Sequence, residues 1–320
     1  MVGGMSFDAV TLAEACDRGD AGTYTRCSEV VATLSNEHLE ALCHRLINER
    51  LERKSKDIET YFREANNDWQ QAMYVLLLRV VCGSHNRDAA MELAKRVPYN
   101  IILRENSALI NIEALLLGGS GLLHLYDDDY YVRRLKEEFD HLVHKYQIRA
   151  MDASEWQLSG MYINNHPTLR LAQIASCLHR NNLTMERLLT CKKRKDVHHL
   201  FSAQASEYWV ENFSPSASHH RISYRIRSFK SDILGINVVV PLMYYYGNFT
   251  ESYTLYEQAL ALLEDIPSED NTYIRRWYMP SNSRGKRAFH SQALLQLSTE
   301  YCSHHFGKHC PLCAILQRRW

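Results

Sequence analysis

The 320-residue sequence lacks any apolar run of the roughly 18 to 20 residues that a membrane-spanning helix needs. Asp8, Glu14 and Asp17 stand where a signal peptide would carry a basic start and an unbroken apolar stretch, so we do not expect export. Six of its nine cysteines are scattered singly, unlike the dense framework of a small secreted disulfide protein. We therefore expect a cytoplasmic protein with no membrane partner.

The sequence also has no excess of positive or negative charge, since 37 Lys and Arg residues balance 37 Asp and Glu residues. The distribution is uneven, with 18 basic and 23 acidic side chains in residues 1–150 against 19 and 14 in residues 151–320. From Arg275 to Trp320, eight basic residues accompany Glu300 as the one acid. A basic face attracts nucleic acid or an acidic partner, and a solvated face balanced by the acidic half is the alternative.

Helical periodicity dominates what is present. One face of a long helix is formed by Leu39, Leu42, Cys43, Leu46, Ile47 and Leu51. The stretch "INVVVPLMYYYG" at 236–247 has the residues of a strand but lies in a longer apolar run, so we interpret it as a buried helix. The pattern predicts an all-α protein, a multi-helix orthogonal bundle with little or no β-structure. We expect residues 1–30 to be poorly structured or a short helix, and residues 31–320 to form one large helical domain, with a sub-division conceivable near 150–165.

The chain's most unusual stretch is "YCSHHFGKHCPLCAI" at 301–315. Cys302, Cys310 and Cys313 form a C-x₇-C-x₂-C pattern, in which the C-x-x-C half can place two thiolates on one tetrahedral zinc ion. His304, His305, His309 or a distant cysteine would supply the fourth ligand. An iron–sulphur cluster is less favoured because C-x₂-C-x₂-C is absent. Plain reduced thiols and a redox pair remain open alternatives.

Several basic residues are candidates for binding an anion or nucleic acid. Arg170 follows the polar "NNH" stretch near a helix start, where its planar fork of donors suits an anion or an internal acid. A second segment, "HHRISYRIRSFK" at 219–230, alternates cationic side chains with aromatic rings. This pattern is typical of nucleic-acid binding and also of an exposed loop that enters a helix. The full candidate set is Arg170, Arg221, Arg225, Arg227, Lys230, Arg275 and Arg276.

Several stretches together resemble a bacterial family that is classified as a domain of unknown function. They include "NNDW" (66–69), "IEALLLGGSGLL" (112–123), "NHPTLRLAQIA" (165–175), "INVVVPLMYYYG" (236–247) and the closing CxxC, and they run in the same order from about Cys27 to Ile315. Members of that family usually carry a further N-terminal half that resembles a nuclease. The resemblance implies that hydrolytic carboxylates are missing here.

The resemblance also implies a fourth metal ligand. The family tends to place a cysteine near the position of Cys27, so the expected zinc ligands are Cys27, Cys302, Cys310 and Cys313, with His309 or His304 as alternatives to Cys27. We expect a non-catalytic helical accessory or binding module, associated with nucleic acid and holding a structural metal or thiol cluster. The alternative is a protein-protein scaffold or homo-oligomeric domain with plain buried thiols, and an enzyme comes third.

Overall fold

The computed structural model describes residues 9–19, 22–127, 129–213, 225–277 and 286–317. Helices occupy most of this length, and short loops join them. In chain order they are α1 (Ala9–Arg18), α2 (Thr23–Thr33), α3 (Asn36–Glu64), α4 (Trp69–Cys82), α5 (Arg87–Arg96), α6 (Tyr99–Arg104), α7 (Leu109–Glu113), α8 (Tyr130–Tyr146), α9 (Pro167–Arg180), α10 (Met185–Leu189), α11 (Arg194–Leu200), α12 (Tyr208–Glu211), α13 (Ser228–Leu234), α14 (Val240–Phe249), α15 (Tyr253–Asp265), α16 (Ala288–Gln296) and α17 (Pro311–Gln317).

Within the described ranges there is no β-strand, and extended pairing is limited to two isolated bridges, Gln204–Arg225 and Pro267–Arg287. The prediction of an all-α helical bundle is therefore confirmed. None of the helices in the described part of the chain is long and apolar enough to cross a membrane.

The chain divides into two compact units. Unit 1 comprises Met1–Ser55 and Leu260–Trp320, and unit 2 comprises Lys56–Ala259. Neither division falls at 150–165, and α1 and α2 occupy most of the described part of residues 1–30. The single domain of residues 31–320 stays a prediction.

In unit 1, α3 buries the face that the sequence predicted. Leu42, Leu46 and Ile47 are almost fully buried, and Ser35 Oγ accepts the backbone N–H of His38 (3.3 Å), which caps the start of the helix. Phe289 of α16 packs edge-on against the His44 ring of α3, with ring centroids 4.9 Å apart. This packing anchors the C-terminal helices of unit 1 on α3.

Unit 1 also brings two distant stretches of sequence together. Helix α1 packs against α17 and against a 3₁₀ turn at Gly307–His309. A Cβ atom on Gly307 would lie 2.0 Å from the Ala13 carbonyl oxygen and 2.8 Å from Cys16 Cβ, so only glycine permits this approach. The glycine therefore sets how closely the C-terminal turn meets α1.

Unit 2 is built on α4, whose apolar residues are buried on nearly every side. The N-cap of α4 is Asp68, whose side chain accepts the backbone N–H groups of Gln70 and Gln71. Helix α4 packs against α5 and α9, and α9 is buried from Pro167 to Leu178. These two helices form the core of unit 2.

The 236–247 stretch is helical, as expected, but its geometry is not uniform. A π-helical segment at Gly235–Val239 joins α13 to α14. Pro241 lies just beyond it, and a proline ring in a regular α-helix would clash with the carbonyl of Asn237. The wider π turn is the local geometry that admits this proline without ending the helix.

Candidate functional site

Five cysteines lie close together in unit 1. They come from three separate stretches of the sequence, namely Cys16 on α1, Cys27 on α2, and Cys302, Cys310 and Cys313 near the C-terminus. Cys302 ends a π-helical segment, Cys310 directly precedes α17, and Cys313 lies in the first turn of α17. Helix α1, which carries Cys16, packs against both α2 and α17. We refer to these five residues as the thiol cluster.

Four of the five sulphur atoms form a chain of hydrogen bonds. The thiol of Cys27 donates to the sulphur of Cys16, and hydrogen-bond contact with Cys27 and Cys313 lowers the pKa of Cys16. Donation to Cys16 and burial together raise the pKa of Cys27. The pKa of Cys313 is raised because its thiol lies against both Cys16 and Cys310. The neutral thiols of Cys27 and Cys313 therefore lie against a Cys16 sulphur that favours the thiolate form.

Cys310 has an additional set of partners from the backbone. Its sulphur accepts the Cys313 thiol first, and also the backbone N–H groups of Leu312 and Cys313, which together lower its pKa. Backbone N–H groups aimed at a sulphur stabilise the thiolate form. The C-P-L-C turn at 310–313 thus folds its peptide N–H groups onto the first of its two cysteines.

Cys302 occupies the edge of the cluster. Burial, followed by the neighbouring Cys310 and Cys16, raises its pKa to about 12, and it accepts a hydrogen bond from Tyr24. Cys16, Cys27 and Cys302 line a cavity of about 100 Å³ together with Tyr24 and His305. Cys302 therefore lies near the other sulphurs but outside their hydrogen-bonded chain.

The expected histidine alternatives lie at the surface. His304 is exposed and stacks on Phe306, and His309 is also exposed. In the part of the chain that the structure describes, no group of three or more His, Cys, Asp or Glu side chains stands ready to hold a metal ion. The metal site expected at Cys27, Cys302, Cys310 and Cys313 stays a prediction.

Sequence reasoning missed Cys16, because the first thirty residues were expected to be poorly structured or a short helix. The missed signal is the helical spacing of the buried residues Leu12, Ala13, Ala15 and Cys16. With that face assigned, Cys16 would have stood out as a cysteine on an apolar helix face near the start of the chain.

The basic candidates divide between the two units. In unit 1, both guanidinium contacts of Arg275 go to the Asp270 carboxylate (2.6 and 2.8 Å), and Arg276 lies over the rings of Tyr24 and Tyr273. In unit 2, Arg225 and Arg227 are exposed, whereas Arg170 is buried. Arg221 lies outside the described residues.

Residues 11–272 match a family described as "Protein of unknown function (DUF2851)". The chain belongs to this family. Neither a curated protein nor a solved structure matches the chain. Membership in DUF2851 agrees with the resemblance to a domain of unknown function that the sequence showed, and it assigns no activity.

Proposed function

We propose that this DUF2851 chain is a non-catalytic helical binding module whose thiol cluster takes up a structural zinc ion. The observation that carries the proposal is the contact of Cys16, Cys27, Cys310 and Cys313, which joins the first two helices to the C-terminal turn. Four protein ligands leave no open position for water or substrate, so such a zinc ion holds the fold and performs no chemistry.

The donor set of the cluster is one that zinc takes. A structural zinc ion bonds four protein ligands in tetrahedral geometry, and four cysteine sulphurs at about 2.3 Å are a common set. The backbone N–H groups that point at Cys310 stabilise the thiolate that zinc requires. Binding would replace the S–H donors with metal bonds and would need the thiols to rotate toward a shared centre. Cys302 would then remain as a neighbour that is hydrogen-bonded to Tyr24.

Metal content tests the proposal directly. Protein purified without chelator is expected to contain close to one zinc per chain, measured by elemental analysis and by release with a colorimetric chelator. Cys16→Ala and Cys313→Ala should lower that content. Cys43→Ala is the matched control, because Cys43 is equally buried in unit 1 but its pKa is raised to about 12 by burial with no thiol among the causes.

The outcomes of this measurement are distinct. Wild-type protein free of metal, with all its cysteines titrating as reduced thiols after denaturation, would contradict the zinc proposal. Iron together with visible absorbance would replace it with an iron–sulphur cluster. Cysteines found reduced, whether the protein is free of metal or contains iron, would support a reducing compartment such as the cytoplasm.

Nucleic acid is the partner class that the surface of unit 2 favours. Arg225 and Arg227 are exposed just before α13, and the adjacent Phe229 ring is 56% exposed. Exposed cations beside a ring suit phosphates and stacked bases. Binding of a single-stranded oligonucleotide should weaken steeply between about 50 and 200 mM salt. A mobility assay that shows no shift at either salt concentration would leave a protein partner or a second copy as the alternative.

A further inference from the structure

A cavity of about 230 Å³ lies in unit 2 between the end of α4, the loop before α9 and the start of α13. Among the residues that line it are Cys82, Ser84, His85, Asn165, Arg170 and Lys230. Two of these side chains are cations that approach from different helices, since Arg170 lies on α9 and Lys230 on α13. The cavity is therefore defined by positive charge as well as by shape.

Arg170 is held in place by neutral partners. Its Nη1 donates to Gln173 Oε1 (2.9 Å) and its Nη2 donates to Asn165 Oδ1 (3.0 Å). Its Nε is buried and has no hydrogen-bond partner among the described residues. Amide oxygens orient a guanidinium group without neutralising its charge. Arg170 thus keeps a full positive charge and one unused donor.

Lys230 is held in a similar way. Its Nζ donates to the backbone carbonyl of Val80 (3.0 Å), and the ammonium group is buried although the residue as a whole is partly exposed. Burial, followed by the charge of Arg170, lowers the pKa of Lys230 to about 8. Burial also lowers the pKa of Arg170 to about 10. Both groups remain protonated at neutral pH and repel each other.

No aspartate or glutamate stands among the described residues that line the cavity. The Cys82 thiol does not supply a negative charge, because burial raises its pKa to about 12. Two buried like charges without a counter-charge are unfavourable in a protein interior. An arrangement of this kind becomes favourable when an anion enters and pairs with both cations.

We propose that this cavity binds the phosphate group of a small phosphorylated ligand, using Arg170 and Lys230 as its two positive anchors. Arg170, Lys230 and Ser84 line the cavity from separate parts of the chain, and each side chain carries hydrogen-bond donors, which suits a tetrahedral oxyanion. The exposed ring of Phe229 lines the same cavity and offers a surface for the organic part of the ligand. The volume lies below the roughly 300 to 1,000 Å³ of pockets that enclose a drug-sized molecule, so the anionic end is what the cavity takes.

Phosphate titration of the full chain tests the proposal. Inorganic phosphate, pyrophosphate and a nucleoside monophosphate are added in separate experiments, and binding is followed by calorimetry and by the unfolding midpoint. Sodium chloride at matched ionic strength and sodium acetate serve as reference anions. We expect the midpoint to rise with phosphate and not with chloride, because a ligand that binds only the native state stabilises it by mass action.

Three variants locate the site. Lys230→Met and Arg170→Gln should each weaken phosphate binding by roughly tenfold or more, since each removes a charged hydrogen-bond donor. Arg149→Gln is the matched control, because Arg149 is an exposed cation of unit 2 that neither lines the cavity nor belongs to the proposed nucleic-acid surface. Lys230→Met should fold, since it removes one member of a repelling pair.

Some results would overturn the proposal. They are an equal response to acetate or chloride, or phosphate binding that survives both cavity substitutions. Binding of an oligonucleotide that is lost in Arg227→Gln and kept in Lys230→Met, with no response to inorganic phosphate or the monophosphate, would assign the phosphate chemistry to the surface of unit 2 instead. The zinc content of the protein is independent of each of these outcomes, because the thiol cluster belongs to unit 1.

Discussion

The thiol cluster of unit 1 and the cation pair of unit 2 are both buried groups of ionisable side chains, and they differ in how their charge is compensated. Cys27 and Cys313 have raised pKa values, so they remain neutral and hydrogen-bond to the sulphurs of Cys16 and Cys310, whose pKa values are lowered. Arg170 and Lys230, with pKa values of about 10 and about 8, stay positive at neutral pH. Buried groups that can be neutral need only hydrogen-bond partners, whereas buried groups that must be charged need a counter-ion.

The largest effect on stability is expected from a substitution that fills the space between the C-terminal turn and α1, next to the thiol cluster. Gly307→Ala would place a methyl group against the Ala13 carbonyl and Cys16 Cβ, and backbone must move to admit it. We expect the free energy of unfolding to fall by about 3 kcal/mol and the zinc content to fall with it. Denaturant unfolding and elemental analysis check both results.

The control for this prediction is Lys308→Ala, which changes the next residue, an exposed one, and leaves the glycine in place. A Gly307→Ala protein with unchanged stability and unchanged metal content would show that the C-terminal turn does not set the position of Cys16.

The second effect concerns His166, a buried base in unit 2. It is neutral because it loses its proton, whereas Cys27 and Cys313 are neutral because they keep theirs. Burial lowers its pKa to about 4, and its Nδ1 has no hydrogen-bond partner among the described residues. Because the unfolded chain, with a histidine pKa near 6.5, binds the proton more readily, stability should fall as pH falls from about 6.5 to 4. The loss amounts to roughly 3 kcal/mol.

Urea unfolding between pH 7 and 4 measures this loss, and His166→Asn should give a flatter curve because asparagine does not titrate. Carboxylates also titrate below pH 5, so the decisive quantity is the difference between the two proteins. Parallel curves for wild type and variant would contradict the assignment to His166.

A smaller effect, of opposite sign, is expected from the cation pair. Lys230→Met removes a buried charge that has no acid partner lining its cavity, so the protein without bound anion should become more stable at pH 7 by about 1 to 3 kcal/mol. The hydrogen bond to the Val80 carbonyl, worth about 1 kcal/mol, offsets part of the gain. Since the folded pKa is below the unfolded value, the advantage should disappear as pH rises from about 8 to 10.5.

Unfolding of both proteins in phosphate-free buffer at pH 7 and pH 10 checks the sign and the pH window. A variant that is less stable than wild type at both pH values would mean that Lys230 is stabilised by partners other than an anion. The claim that unit 2 contains a buried charge without a counter-charge would then be wrong.

Apolar periodicity predicted the long helix α3 because that helix buries one continuous face. The α3 face follows from apolar spacing and the 236–247 helix from the length of its apolar run, whereas the π turn before Pro241 depends on how one proline ring is accommodated. Cys16 and Cys313 are nearly 300 residues apart in sequence, and no local pattern indicates that they meet. Arg170 and Lys230 were each predicted as anion candidates, but their pairing in one cavity depends on how α9 and α13 pack, which spacing does not encode.

The smallest effect separates exposed charge from buried charge. Arg275 and Asp270 form an ion pair with both partners well exposed to solvent. Exposed pairs are screened by water and salt, so Arg275→Ala should leave the denaturant midpoint unchanged within error, unlike Lys230→Met. Oligonucleotide binding should also be unchanged, since Asp270 already occupies the guanidinium. A clear loss of oligonucleotide binding in Arg275→Ala would instead show that the basic segment beginning at Arg275 takes part in binding nucleic acid, as its charge first indicated.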